Sequence, residues 1–337
     1  MTAQKRIYLL NRLINGGYFT PSGGMLSLVA AQRLFNRNAG VVSKMYRHQH
    51  EHLETQEKII EVKVYSGNHP RILEMIDRLT PLKKYINLAV IHGSYATGME
   101  IAYSDFDGLI VLSKELVNDE VLLAKVAFEL HQLRKIMHKI DPFQHHGWFV
   151  LSEYDLENYP EWFLPSAIFE HSRSLIGNTK LAIHIPPITD MDFNRSFLRL
   201  CESLNRKLSS PKVDWNLYQL KAIFSEFMML PSAYIQARDS KGIYKKFSFG
   251  EMRKDLTAEE YSVMDEVSTI RMNWKYELND KQIRFLQRID FLSWKQRQKI
   301  KMAIPAFIET AIHDGLFSRM NSFIDIVKSK LNSGEKL

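Results

Sequence analysis

Apolar residues recur at spacings of three and four along LVAAQRLFNRNAGVVSKMYRHQHEHLETQEKIIEVKV, so residues 1 to about 65 read as mostly helical. Gly16-Gly17 and the stretch from Pro21 to Gly24 interrupt the pattern early. From about residue 70 it changes. Residues 70–82 look helical, but NLAVIH (87–92) is an apolar run of strand length that stops at Gly93. FDGLIVL (106–112) is a second such run, and YATGMEIAY between the two reads as a turn or short loop. Asp119 can cap a helix whose body is VLLAKVAFELHQLRKIMHKI, and Asp141-Pro142 ends it. FQHHGWFVL (143–151) is the next strand, and residues 174–185 add an edge strand. Beyond 190 the apolar spacing is helical almost throughout. The order helix, strand, strand, helix, strand predicts a mixed α/β (α+β) fold, a small sheet with flanking helices followed by an all-helical domain. The expected parts are an N-terminal helical region over 1–69, a sheet domain over 70–187 and a helical domain over 188–337.

Composition narrows the class only a little. With 337 residues the chain is long enough for two domains. A formal net charge of +7 and a pI near 9.2 suit an anionic partner such as a nucleotide or RNA without requiring one. The single cysteine, Cys201, cannot form an internal disulfide, which points to a reducing compartment. Its setting, FLRLCESL, suits a small core residue. No apolar run has membrane-span length, and the richest, AIFSEFMMLPSAYI, carries Glu226 and Pro231. The first residues are too polar for a signal peptide, so the expected location is cytoplasmic, with no membrane partner.

The chemistry concentrates in IHGSYATGMEIAYSDFDGLIVL. On a strand, Asp105 and Asp107 project from one face while Phe106 projects from the other. Two adjacent carboxylates repel unless a cation lies between them, and Mg²⁺ or Mn²⁺ takes such oxygen ligands while keeping positions for phosphate oxygens. Gly93 lets the backbone come close to a phosphate, and the Ser94 hydroxyl can bind its oxygens. The plainer alternative is an Asp-capped turn before a buried strand. It accounts for Ser104-Asp105 but leaves a charge at Asp107 without a partner.

In these residues the chain resembles the nucleotidyltransferase superfamily that includes DNA polymerase β. The pattern there is a hydrophobic residue, Gly, then Gly or Ser, a gap of about ten residues, and Asp-hydrophobic-Asp/Glu. Here Ile91-His92-Gly93-Ser94 is followed by ten residues and then Asp105-Phe106-Asp107. Gly98 in the gap and Ser104 before the first Asp also match bacterial members. The resemblance implies a nucleotidyltransferase sheet, a divalent metal on Asp105 and Asp107, and an NTP, ATP foremost, held by Gly93, Ser94 and Ser104. Transfer of NMP to a hydroxyl acceptor would release pyrophosphate. The acceptor would be a small molecule or protein, with RNA a further option.

The family usually adds a third carboxylate from a later strand, where this chain has His145 and His146. Three readings stay open. His146 can stand beside the metal as ligand or base. Asp141 or Glu153 can reach in from a strand end. Or the acid is missing, and the fold binds nucleotide or a regulatory partner without turnover. A third polar group close to the Asp105–Asp107 face favours catalysis; a blocked face favours binding.

The helical half resembles, more loosely, the domains that follow this core in bacterial nucleotidyltransferases, including those that modify aminoglycosides. That implies a Lys for the triphosphate and an aromatic residue for the base. Lys221 matches best by position, with Tyr218 one turn earlier, and Lys245 and Lys246 are second choices. Plainer readings are a solvated Lys221, a core Tyr218 and surface charge at 245–246. Glu226 is either a buried base or half of an ion pair, the latter being the expectation. His48 and His52 share a helix face, where a solvated face is expected rather than zinc. KQIRFLQRIDFLSWKQRQKIK (281–301) carries seven basic residues and one acid, which reads as a basic amphipathic helix, with RNA contact the alternative.

Overall fold

The computed structural model describes residues 3–16, 28–47, 54–187, 190–209, 217–276, 278–286 and 315–333. Helices Ala3–Asn15 (α1) and Leu28–Arg47 (α2) come first, then strands Gln56–Glu61 (β1) and Lys63–Val64 (β2). Helix Pro70–Leu79 (α3) and a 3-10 turn, Thr80–Tyr85, lead into Ile86–His92 (β3), the short helix Gly93–Thr97 (α4) and Asp107–Leu112 (β4). Helices Lys114–Asn118 (α5), Glu120–Gln132 (α6) and Arg134–Ile140 (α7) carry the chain to Phe149–Ser152 (β5). Two single turns, Glu153–Leu156 (α8) and Ala167–Glu170 (α9), precede Arg173–Gly177 (β6) and Lys180–Ile185 (β7). The remainder is helical: Asp190–Leu208 (α10), Leu217–Phe227 (α11), Leu230–Asp239 (α12), Lys245–Arg253 (α13), Ala258–Met272 (α14), Asp280–Leu286 (α15) and Leu316–Ser333 (α16).

The fold is mixed α+β, a small sheet with flanking helices and a helical C-terminal region. The sheet order is β2-β6-β3-β4-β5. β3 runs antiparallel to β4 and β6, while β4 and β5 are parallel, joined through α5, α6 and α7. Continuous apolar runs suit strands covered on both faces. Ala89, Ile91, Ile110 and Val150 face a core shared with α2, α3 and α6. Their neighbours Leu88, Val90, Leu109, Val111 and Leu151 face a second core with Leu156, Tyr159, Phe169 and Ile183. Asp119 caps α6 by accepting from the Val121 and Leu122 N–H groups. Cys201 is buried in the helical core, beside Phe197 and Leu204 of its own helix.

Four expectations change. Residues 56–64 are strands, not helix: β1 pairs antiparallel with β7 in a separate two-stranded ribbon, and β2 pairs with β6. The 174–185 segment is not one edge strand, since β6 lies inside the sheet between β2 and β3. The expected loop after Gly93 begins with α4. The strand expected over 143–151 is regular only from Phe149.

That last difference has a physical cause. Asp141 begins a turn closed by Gln144 N–H donating to the Asp141 carbonyl at 3.0 Å, with Phe143 N–H on Asp141 Oδ1, also at 3.0 Å. Pro142 sits where its fixed φ suits the turn. Side-chain amides then replace ladder bonds. Gln144 Oε1 accepts from Phe106 N–H at 2.8 Å, and Gln144 Nε2 donates to the Phe106 carbonyl at 3.0 Å. On the outer edge of β5, Asn15 exchanges two bonds with the Trp148 backbone and Asn11 two with the Val150 backbone. Asn11 and Asn15 are four apart and so share a face of α1. They cover an edge that would otherwise present unpaired groups to solvent.

His48, His50, His52, Gly17 and the Pro21–Gly24 stretch lie outside the described residues, as do residues 287–301 of the expected basic helix. Among the described residues no helix is long and apolar enough to cross a membrane.

Candidate metal and nucleotide site

Strand register brings the motif together. His92 pairs with Asp107 across β3 and β4, so Gly93 follows directly beside that carboxylate. Gly93 has φ +70°, a conformation that favours glycine, and a Cβ there would collide with Asp107 Oδ2. Both constraints demand glycine. Gly98, also in the left-handed region, caps α4 and turns the chain outward. Ser104 Oγ accepts from Ile101 N–H at 3.0 Å and Ser104 N–H donates to the Ile101 carbonyl at 2.8 Å. Ser104 therefore shapes the turn that delivers Asp105. Ser94 is half-buried in the first turn of α4.

The two carboxylates converge on one atom. His146 Nε2 lies 3.2 Å from Asp105 Oδ2 and 3.2 Å from Asp107 Oδ1. Phe106 points the other way, fully buried, with its ring edge-on to Trp148 at 5.2 Å. His145 Nδ1 lies 3.2 Å from Asp105 Oδ2 without hydrogen-bonding geometry, and that buried nitrogen has no hydrogen-bond partner among the described residues. Both imidazoles thus face the pair, rather than opposite sides of a strand. Gln144, the residue that staples this turn to Phe106, also donates to the His146 carbonyl at 2.9 Å. One buried amide sets the height of the histidines against the aspartates.

Carboxylate oxygens that share a neighbour at this distance repel by at least about 2.5 kcal/mol at an effective dielectric of about 20. Positive charge offsets this from several sides. Burial disfavours the ionised form of Asp105, yet the hydrogen bond from His146 and the Lys221 charge hold its carboxyl well below the usual range. Burial likewise disfavours the imidazolium of His146, yet its bonds to Asp105 and Asp107 push it well above the usual value. Burial, aided by His146 and Lys221, holds His145 down at about 3 against the pull of Asp105. Burial and Arg271 bring Lys245 down to about 8, opposed by Asp107 and Asp105. Lys245 is half-buried at the start of α13.

One ligand atom each from Asp105, His145 and His146 lies within 4.8 Å of the others. The Asp105 carboxylate and two imidazoles gathered in this way, with Asp107 3.2 Å from His146 Nε2, fit a divalent cation, and the orphaned His145 Nδ1 is the kind of buried polar atom that such an ion would satisfy.

No family model matches the chain, and no curated protein matches it. Among solved structures it is similar to a chain described as spectinomycin adenyltransferase AAD(9) from Enterococcus faecialis, with ATP and spectinomycin. The identity is 14% and the TM-score 0.37, over 79% of this chain and 100% of that one.

The remaining candidates separate by position. Asp141 is buried, and its Oδ2 accepts from Lys221 Nζ at 2.6 Å. Burial pushes its carboxyl up to about 6 against the pull of Lys221. Lys221 itself is fully buried, so a solvated lysine is excluded, and its ammonium is directed at Asp141 and lies 4.9 Å from the Tyr103 ring centre. Tyr218 is packed in the helical core rather than presented at the carboxylates. Glu153 is at the far end of the sheet, beyond Ser152, which pairs with Leu112, and it holds Asn87 and the Lys114 N–H. Lys246 is exposed, with Nζ 3.4 Å from Met99 Sδ. Glu226 pairs with Lys207 and accepts from Ser203. Sequence reasoning missed Gln144, Asn11 and Asn15. The Asn spacing of four on one helix face was the available signal; Gln144 gave none apart from its place in a turn.

Proposed function

We propose that the chain is a metal-dependent nucleotidyltransferase that moves NMP from an NTP to a hydroxyl acceptor. One observation carries this reading. Asp105 and Asp107, spaced from Gly93-Ser94 as in the superfamily, converge with His146 at 3.2 Å on one point. A third polar group at the carboxylate face was the feature that separates catalysis from mere binding.

Asp105 and Asp107 would hold the cation, with His145 and His146 standing where a third acid is expected. A bound divalent cation neutralises phosphate charge and polarises the α-phosphorus. Gly93 leaves room for phosphate beside Asp107, and the Ser94 hydroxyl offers a hydrogen bond to its oxygens. Lys245, whose charge is felt by both carboxylates, would supply positive charge for the triphosphate, whereas Lys221 is bound to Asp141. Transfer forms a bond from the acceptor oxygen to the α-phosphorus and breaks the bond to the β-phosphate bridge. Pyrophosphate leaves with that electron pair, and the acceptor proton passes to a base or water. ATP is the expected nucleotide, Mg²⁺ or Mn²⁺ the expected metal, and a small molecule or protein the expected acceptor. Residues 70–187 would form the nucleotidyltransferase domain between helical parts over 1–69 and 188–337. The lone buried thiol suits a reducing, cytoplasmic setting.

A second reading has its own support. An imidazolium at His146 between two carboxylates can itself take the place of a cation, which suits a non-catalytic nucleotide-binding protein. Incubation with each α-labelled NTP, divalent metal and cell extract separates the two. Transfer of label to a metabolite or protein fraction, lost in Asp105→Asn and Asp107→Asn, is the expected result. Nucleotide binding without any transfer would support the second reading instead.

A further inference from the structure

We propose that Asp105, His145 and His146, with Asp107 beside His146, form a mixed nitrogen–oxygen centre that selects a divalent transition ion, with Mn²⁺ as its representative, over Mg²⁺. The inference deepens the functional reading above, in that it rests on a metal held at the aspartate pair.

The tautomer of His146 is fixed by its neighbours. Its Nδ1 lies 3.0 Å from the Gly147 carbonyl, and a carbonyl oxygen only accepts, so Nδ1 carries a proton. Nε2 is then the nitrogen aimed between the carboxylates. A metal-ligating histidine is ordinarily arranged this way, with the other ring N–H given to a backbone carbonyl. His145 supplies an independent sign. Its Nδ1 is buried, lacks a hydrogen-bond partner and stands 3.2 Å from Asp105 Oδ2. The two rings are nearly perpendicular, at 84° and 5.0 Å between centres, so their nitrogens approach the aspartates from different directions.

The three nitrogen–oxygen separations are each 3.2 Å. Ligand atoms bound at about 2.1 Å lie roughly 3.0 Å apart along an octahedral edge and roughly 3.4 Å along a tetrahedral one. The observed spacing falls between. The turn is also rigid, since Gln144 is bonded to both Phe106 backbone groups and to the His146 carbonyl. A Cβ at Gly147 would collide with Asn15, which holds the next residue, Trp148. Imidazole affinity rises along the first-row divalent series, whereas Mg²⁺ favours all-oxygen shells and gives up water reluctantly. Two imidazoles in the close group of three therefore tilt the site toward a transition ion.

The test uses the full chain, stripped with a chelator and without nucleotide. Mn²⁺ alone and Mg²⁺ alone are titrated by calorimetry, and the Mn²⁺ form is examined by pulsed electron paramagnetic resonance. The expected result is Mn²⁺ affinity at least about 100-fold above that of Mg²⁺, with nitrogen-14 modulation from coordinated imidazole. His145→Gln and His146→Gln should each weaken Mn²⁺ by about 10- to 100-fold. Affinities for the two metals within threefold, or no nitrogen modulation, overturn the proposal. So does the lack of Mn²⁺ binding below millimolar concentration, which means that an imidazolium fills the place of the ion. Because no nucleotide is used, the two readings fail separately. Nitrogen-bound Mn²⁺ without label transfer would sink only the enzyme reading, and transfer with equal Mg²⁺ and Mn²⁺ affinity only this one.

Discussion

Gln144 is neutral, fully buried, and bonded to the backbone on both sides of the residue that separates the two aspartates. Its removal reaches the site without touching a carboxylate. Gln144→Leu would leave Phe106 N–H and C=O without partners, each costing about 1–3 kcal/mol. Chemical denaturation should show a total loss of about 2–6 kcal/mol, and the variant should bind divalent metal more weakly than the wild type because the histidines lose their anchor. The Lys221–Asp141 pair makes a sharper case. Removing one buried partner strands the other's charge, so Lys221→Ala should destabilise by about 3–5 kcal/mol. Lys221→Met with Asp141→Leu should recover most of that loss in a double-mutant cycle, an outcome that a merely exposed lysine could not give. At this scale the sequence was legible where one residue type answers one need. Gly93 and the Asp pair stood out through their spacing. Lys221 drew attention by position, yet its burial was hidden, because α11 alone does not reveal what packs over it.

α1 and β5 lie more than a hundred residues apart in sequence and meet through two carboxamides. Asn15→Leu should free the Trp148 backbone groups and lose about 1–3 kcal/mol. Asn11→Leu with Asn15→Leu should also self-associate through the opened β5 edge, detectable by light scattering. β3 and β4 could be read from their continuous apolar runs, because strands covered on both faces leave no alternation to decode. β1 could not. Its sequence, QEKIIE, has one buried residue, Ile60, and its apolar spacing fits a helix as well as a strand. Its pairing with β7 decides the matter, and that partner is over a hundred residues away. The 143–148 stretch misled for a related reason: side chains of Gln144 and Asn15 supply bonds that a neighbouring strand would otherwise make.

Across the whole molecule, Tyr103 and Phe143 extend from the sheet region into the helical core, where Tyr103 O–H donates to the Lys221 carbonyl at 2.6 Å. The loop that leads to Asp105 is thereby tied to α11, so the helical region and the sheet should unfold together. Burial, with Arg134 nearby, lowers His131 and His138 to about 3. A base with a lowered folded value takes up protons on unfolding. Its contribution is fully present above the unfolded value near 6.5 and is lost as pH falls toward 3. Each of the two should cost roughly 1 kcal/mol per pH unit below 6.5. The denaturation midpoint should fall from pH 6.5 to 5, less steeply in His138→Phe; a pH-independent midpoint would contradict the burial. On the proposed function the Asp105–Asp107 centre moves a nucleotide rather than a terminal phosphate, and parallel reactions with α-labelled and γ-labelled ATP in metal-supplemented extract separate the two. The expected result is label on an acceptor from the α position alone, γ label recovered as pyrophosphate, and neither in Asp105→Asn. Transfer of the γ label, or α transfer that persists in Asp105→Asn, would contradict it.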